Sequence, residues 1–259
     1  MLLGRFMPCG LCCAALCFLG APCATPAPSS NADTLVLRDS DSVDNSELMR
    51  DLTLTRSEAG RLTMTMWLPD EFWRTQLKHK GTLTDRGIDD YIAVVHPYTL
   101  IAVLDGQFGI TSYHYTDADT LAAEVTVEDS HGERYAPLPP ESISQDMRNM
   151  IQMFRPLMAS MMGAMGEHME FFAFPSLDKA GRPLADAKSN GALIVHVGDV
   201  AIRYRLPLGS LLVPELDRKT GESFPGSYRF NPFTGDKLMP RPAPPPVPAA
   251  LTPPTPKTQ

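Results

Sequence analysis

The sequence predicts an α+β fold that is mainly antiparallel β and sandwich-like, with about three helices. Apolar or alternating runs typical of strands occupy residues 62–68, 99–104, 171–175, 192–197 and 200–206. Short turns rich in Gly and Asp lie between the later runs, as antiparallel hairpins require. One segment with helical periodicity carries more than half of the chain's 14 methionines. Together these features indicate sheets with helices packed at one side.

The start of the chain predicts export. Arg5 precedes an apolar run from Leu11 to Ala21, which fits a signal peptide and is too short to span a bilayer. We therefore predict a signal peptide over residues 1–24 and a periplasmic or extracellular protein, with no transmembrane helix once this leader is removed. A lipid-anchored form stays open, although no cysteine follows a suitable small residue, because the leader holds all of them: Cys9, Cys12, Cys13, Cys17 and Cys23.

Composition limits the classes of function. Cleavage after Cys23 leaves a body without thiols, which excludes disulfide scaffolds, cysteine metal sites and cysteine nucleophiles there. The net charge of −7, without a basic stripe, argues against nucleic acid as a partner. After the leader we expect a flexible acidic, Pro- and Ser-rich linker at 25–45, one globular α+β domain at 46–238 and a disordered Pro-rich tail at 239–259.

The domain is predicted to begin with a strand and two helices. Residues 62–68 alternate apolar side chains with Thr and Trp, which is the period of a half-buried strand. Pro69 opens a short helix with acidic residues in its first turn. Thr84 caps a second helix, which ends before Pro97 and whose apolar residues share one face: Ile88, Tyr91, Ile92 and Val95.

Tight turns organise the predicted strands. Asp129-Ser130-His131-Gly132 predicts a hairpin, and the three runs from residue 171 to 206 predict a meander with Gly198-Asp199 as a two-residue turn. Near the end of the domain, Asp217 to Glu222 and Asn231 to Asp236 repeat one turn pattern. In both copies Asp or Asn accepts backbone hydrogen bonds at the start and Gly takes a positive φ at the end.

The segment from Ser144 to Met169 predicts an amphipathic helix with a thioether face. Ser144 caps the helix and Pro156 kinks it. At about 100° per residue, every methionine of the segment except Met153 falls within one arc. The members of this arc are Met147, Met150, Met158, Met161, Met162, Met165 and Met169.

Three interpretations of this face are open. Flexible methionines can fill an irregular core beneath the helix. Alternatively, the face is a docking surface for a peptide, a lipid or a partner helix, with the candidate residues Met158, Met161, Met162 and Met165. The third interpretation is copper handling, in which thioethers and one imidazole bind Cu(I): Met161, Met162, Met165, His168 and Met169. No dedicated metal motif and no cofactor site are predicted.

The C-terminal part resembles a known group of proteins. The run from Arg205 to Leu212, the two turn motifs between Asp217 and Gly235, and the Met-rich helix followed by Phe171-Phe-Ala-Phe-Pro are similar to an uncharacterised family of exported bacterial proteins. The resemblance covers about residues 52–238. It implies no activity, because its motifs are turns and apolar strands.

A search for catalytic motifs favours a non-enzymatic role. The chain contains no GxSxG, HExxH or GxxxxGK[ST] pattern, and its histidines are dispersed, so no catalytic residue is assigned. We expect a binding or structural module of the cell envelope whose partner is a protein or a lipid. One alternative is a hydrolase assembled from distant residues, such as His114 or His131 against a carboxylate. The other is copper handling by the Met-rich helix.

Overall fold

The computed structural model describes residues 35–38, 42–109 and 112–240. The predicted signal peptide, much of the predicted linker and the predicted tail after Pro240 lie outside these residues. Within them the predicted α+β, mainly antiparallel and sandwich-like fold is confirmed, since every pair of named strands runs antiparallel. No helix in the described ranges is long and apolar enough to cross a membrane.

The described residues form six α-helices and twelve strands. The helices are α1 Asn45–Leu52, α2 Asp70–Lys80, α3 Asp85–Val95, α4 Ala118–Glu124, α5 Gln145–Met162 and α6 Ala164–Glu167. The strands are β1 Thr53–Glu58, β2 Arg61–Trp67, β3 Tyr98–Phe108, β4 Tyr113–Tyr115, β5 Val125–Glu128, β6 Arg134–Tyr135, β7 Glu170–Pro175, β8 Gly191–Val197, β9 Val200–Leu206, β10 Glu215–Leu216, β11 Ser223–Phe224 and β12 Met239–Pro240. Helices α1, α4 and α6 exceed the expected number because 8, 7 and 4 residues are too few to show a clear apolar period.

Two sheets form the body. In the first, β1, β2 and β3 are consecutive neighbours, and the far edge of β3 pairs with both β4 and β7. The second has the order β6-β5-β8-β9, and a small third sheet has the order β11-β10-β12. The prediction that β7, β8 and β9 form one meander is wrong for β7. This strand pairs with β3 in the first sheet, where Phe172 stands opposite Ile101. Strands β8 and β9 form the predicted hairpin.

Strand β2 is covered on both faces, so the prediction of a half-exposed strand is wrong. Thr63 and Thr65, on its polar side, are 1% and 0% exposed. The cause is the second sheet: the hydroxyls of Thr65 and Tyr204 share a hydrogen bond of 2.8 Å, and the rings of Trp67 and Tyr204 meet edge to face at 5.9 Å. Burial raises the pKa of Tyr204, which keeps its phenol neutral between the sheets.

A buried carboxylate, Asp105 on β3, holds Arg61, and Arg61 links the first sheet to the second. It is 4% exposed and accepts hydrogen bonds from Arg61 Nε at 2.9 Å, Thr63 Oγ1 at 2.6 Å and Thr116 Oγ1 at 2.6 Å. Arg61 also donates to Asp199, in the β8–β9 turn, at 2.6 Å. Burial opposes ionisation of Asp105, but the bonds from Arg61 and the two threonines outweigh it, so the pKa of Asp105 lies below its usual value.

The chain before α1 runs beside the C-terminal half of the domain. Leu37 forms an isolated antiparallel bridge with Leu212, and the amide of Val213 donates to the carbonyl of Val36 at 2.8 Å. Asp44 then caps α1, because its carboxylate accepts the amide of Glu47 at 2.9 Å. Helix α1 is thereby placed between the first sheet and the loop that follows β9.

Candidate functional site

An apolar cavity of about 440 Å³ lies between α1, α2, α3 and α5. Met49 of α1 and Met66 of β2 contribute its inner surface, since Met66 is 2% exposed. The cavity is open to solvent at one end, and its volume is large enough to admit a small molecule.

Helix α5 supplies one wall of the cavity through a single face at helical spacing: Met150, Met153, Phe154, Leu157, Met158 and Met161. The capping of this helix is as predicted, because Ser144 Oγ accepts the amide of Met147 at 3.2 Å. Pro156 lies inside the helix, and the predicted kink there stays a prediction. The wall passes from core to solvent: Met158 is 2% exposed, whereas Met161 is 63% exposed.

The end of α5 is held by a close backbone approach. Gly163 ends the helix with φ of 59°, and α6 returns so that a Cβ on Gly166 would collide with the carbonyl oxygen of Met158. Arg155 donates to the Glu170 carboxylate at 2.5 Å, which fastens α5 to β7. The position of the cavity wall therefore depends on a contact that only glycine permits.

Aromatic rings from α2 and α3 form the opposite wall. Trp73 meets Phe72 at 4.9 Å between ring centroids, Phe154 at 5.1 Å and Tyr91 at 5.5 Å. The Trp73 indole donates to the carbonyl of Leu68 at 3.2 Å, which fixes its orientation. Burial raises the pKa of Tyr91 to about 12, so this wall carries no charge at neutral pH.

The mouth of the cavity carries apolar side chains and one cation. Leu83 is 42% exposed and Met153 is 72% exposed, and both line the opening. Among the described residues of the lining, Lys80 is the one that carries a charge. Gln76 Nε2 donates to Asn45 Oδ1 at 2.5 Å, so the α1 side of the mouth is bridged by an amide pair.

The predicted docking residues divide into two pairs. Met158 and Met161 line the cavity, whereas Met162 and Met165 are partly buried and pack against the core on α5 and the turn that follows. Met153, which the helical wheel places outside the thioether arc, lines the mouth. The core-filling interpretation fits Met162 and Met165, whereas docking at Met158 and Met161 stays a prediction.

The five copper candidates contact different parts of the fold. Met161 faces the cavity, and Met162 and Met165 pack on the core. The His168 ring stacks on Tyr115 at 4.0 Å with an interplanar angle of 15°, and Met169 is 1% exposed. Among the described residues no group of three or more His, Cys, Asp or Glu side chains is placed to hold a metal ion. Copper binding through thioethers stays a prediction.

Among the described residues, neither histidine of the hydrolase hypothesis forms a hydrogen bond with a serine hydroxyl. His114 is an exposed residue of β4. His131 borders a cavity of about 190 Å³ beside Ser130, but the Ser130 hydroxyl donates to the carbonyl of Ala192 at 3.0 Å and accepts its amide at 2.9 Å. The one strongly shielded histidine–carboxylate pair in the described ranges, His196 with Glu128 at 2.9 Å, has Arg134 as its neighbour.

Sequence reasoning missed the α2 and α3 side of the cavity. The apolar period of α5 identified one wall, but Phe72 and Trp73 belong to a helix whose period gave no sign of what it faces. The aromatic content of α2 beside its cap was the available signal, because two adjacent large rings cannot both point into one sheet.

Comparison of the chain with protein-family models, with curated protein sequences and with solved structures yields no match.

Proposed function

We propose that this protein is a non-enzymatic binding module of the cell envelope, which holds a straight-chain amphiphile with an anionic head in the α1–α2–α3–α5 cavity. The observation that carries this proposal is the cavity of about 440 Å³ whose apolar lining continues to an exposed apolar mouth. Its volume falls in the range of small-molecule pockets, about 300–1,000 Å³, which are mostly apolar with few polar groups.

The lining favours a flexible chain over a rigid ligand. Thioethers at Met49, Met66, Met150 and Met158 are unbranched and polarisable, so they can follow the shape of an alkyl chain. Aromatic rings at Trp73 and Phe154 add broad apolar contact. Lys80 at the mouth supports the choice of an anionic head, since a carboxylate there would meet the lining's single cation.

Dodecanoic acid tests this proposal with Trp73 as the reporter. The chain has 2 tryptophans, so Trp67→Phe leaves Trp73, in the cavity wall, as the sole indole. We expect saturable binding by calorimetry and a parallel change in Trp73 fluorescence. Dodecanol, which lacks the charge, should bind more weakly, and Lys80→Ala should remove that difference.

Matched variants distinguish cavity binding from surface adsorption. Met161→Asp places a carboxylate in the apolar mouth and should lower the affinity for dodecanoic acid by at least about tenfold. Leu177→Asp is the control, because Leu177 is 50% exposed and lies outside the cavity. Absence of saturable binding, or equal loss in both variants, would overturn the proposal. Binding of an apolar helical peptide in competition with dodecanoic acid would replace the lipid by a protein partner.

A further inference from the structure

A second cleft, of about 520 Å³, lies against a different face of α1. Asn45 and Met49 line the apolar cavity, whereas Arg50 and Asp51 line this cleft. Its other walls come from β9, from the loop that follows β9 and from the segment 227–229. The cleft is thus built from parts of the chain that lie far apart in the sequence.

The cleft concentrates positive charge in an acidic protein. Within the part of the chain that the structure describes, its lining holds one carboxylate, Asp51, and these arginines: Arg50, Arg203, Arg205 and Arg229. The chain as a whole has a net charge of −7. The Asp51 carboxylate accepts the amide of Ser210 at 2.7 Å, and Arg229 lies 3.7 Å from Glu215. No described carboxylate forms an ion pair with the other three guanidinium groups.

Strand β9 sets two of these arginines side by side. Ile202 and Tyr204 are buried, so Arg203 and Arg205 share the opposite face, about 7 Å apart along the strand. On the neighbouring strand β8, Ile194 stands opposite Arg203 and Ala192 opposite Arg205. Cross-strand pairs of opposite charge stabilise sheets, and β8 supplies none here.

Neutral polar groups accompany the arginines. Asn190, Ser227 and Tyr228 line the same cleft and can donate hydrogen bonds. Gly209 in the wall of the cleft lies close to Ser227, since a Cβ on Gly209 would be 2.8 Å from the Ser227 hydroxyl. The next residue, Ser210, is 5% exposed and its hydroxyl is buried without a hydrogen-bond partner among the described residues. This hydroxyl lies behind the wall and outside the lining, so the arginines and the neutral polar donors carry the case for a ligand.

We infer that this cleft is a binding site for a small molecule that carries two or more oxyanion groups, either phosphates or carboxylates. Guanidinium groups bind both kinds of oxyanion through paired N–H donors, which matches the adjacent Arg203 and Arg205. Arg50 of α1 lines the same cleft, so a ligand with separated anionic groups could contact it together with the β9 arginines. This site is independent of the apolar cavity and of the function proposed for it.

Calorimetry of the full chain with pyrophosphate and with citrate tests this inference. Titrations at low ionic strength should show saturable binding of at least one anion, which also identifies the phosphate or carboxylate class. Arg203→Gln combined with Arg205→Gln should lower the affinity for that anion by about 10- to 100-fold. Arg203→Lys combined with Arg205→Lys keeps the charge but loses the paired donors, and should recover only part of the affinity.

Arg86→Gln provides the matched control. Arg86 is an exposed residue of α3 outside the cleft, and its loss removes one positive charge from the surface. We expect its anion affinity to equal that of the unaltered chain. Absence of binding by both anions, an equal loss with Arg86→Gln, or full recovery with the lysine pair would overturn a built oxyanion site. Thermal melts of each variant ensure that only folded protein is compared.

Discussion

The side-chain amide of Asn231 donates a hydrogen bond to the carboxylate of Asp217 at 2.6 Å, with both residues 2% exposed. Each residue also organises its own turn through its backbone. The carbonyl of Asp217 accepts a hydrogen bond from the amide of Gly221, and the carbonyl of Asn231 accepts one from the amide of Gly235, both at 2.8 Å. The two copies of the sequence repeat therefore dock through their first residues. The bond from Asn231 is the main cause that lowers the pKa of Asp217.

We predict that Asn231→Asp destabilises this paired turn in a pH-dependent way. Two carboxylates would then meet at the contact, and their repulsion disappears when one of them is protonated. Thermal unfolding at pH 7 should show a lower Tm than the unaltered chain, with much of the loss recovered near pH 4. Asn149→Asp, at an exposed position on α5, is the control and should show little change at either pH. An equal loss at both pH values would contradict the prediction.

Asp105 should determine part of the acid sensitivity of the fold. Its pKa is lowered in the folded state, so its stabilising contribution is complete above the unfolded carboxyl value of about 4 and is lost as the pH falls through the lower folded value. Asp105→Asn should reduce the free energy of unfolding at pH 7 by about 3 kcal/mol, because the exposed Asp199 then remains as the only carboxylate that the described structure pairs with the partly buried Arg61.

Urea unfolding from pH 7 to pH 2.5 checks this expectation. The unaltered chain should lose stability steeply at the acid end, and Asp105→Asn should show a shallower slope there. Asp90→Asn removes an exposed carboxylate and should leave the profile unchanged. A variant with the same acid slope as the unaltered chain would show that Asp105 is not the titrating group.

Gly166→Ala should destabilise the protein and disturb the cavity wall. The added Cβ has no room beside the backbone of Met158, so α6 must shift away from α5 at a cost of about 1–3 kcal/mol. Gly87→Ala is the matched control: it is a helical glycine whose Cβ would meet ordinary contacts of 3.5 Å or more, so alanine should be neutral or stabilising by up to about 1 kcal/mol. Chemical denaturation compares the two variants.

Peroxide oxidation should distinguish the methionines of α5 by exposure. Met153 and Met161 are 72% and 63% exposed, whereas Met158 and Met147 are 2% and 0% exposed. Mass spectrometry of digested protein should show sulfoxide first at the exposed pair. Because a sulfoxide is polar, oxidation of Met161 should also weaken the binding of dodecanoic acid. Oxidation of Met158 at the same rate would mean that α5 detaches from the core in solution and exposes Met158.

Local features of the fold could be predicted because a few neighbouring residues determine them. Thr84 and Ser144 cap their helices as expected, and the Gly198-Asp199 hairpin forms between the predicted strands. The pairing of β7 with β3 could not be predicted, because an apolar run such as Phe171–Pro175 fits either sheet. Only the three-dimensional arrangement decides between distant partners of equal hydrophobicity.

The sites follow the same division. The face of α5 that carries Met150 and Met158 was visible in the sequence, whereas its aromatic counterpart on α2 was not. The arginine cleft had no signal along the chain, since Arg50, Arg203 and Arg229 are separated by long stretches of other structure. A chain without a basic stripe can still assemble a basic surface through its fold.

Helix α1 has only eight residues, and it is a shared wall of two compartments, one apolar through Met49 and one basic through Arg50. A displacement of the α1 backbone would move both side chains together, because they are adjacent on the same helix. If a ligand in one compartment rotates α1, it changes the affinity of the other compartment, and thermodynamic reciprocity requires the same factor in both directions. A substitution that displaces α1 would therefore alter the lining of both compartments at once.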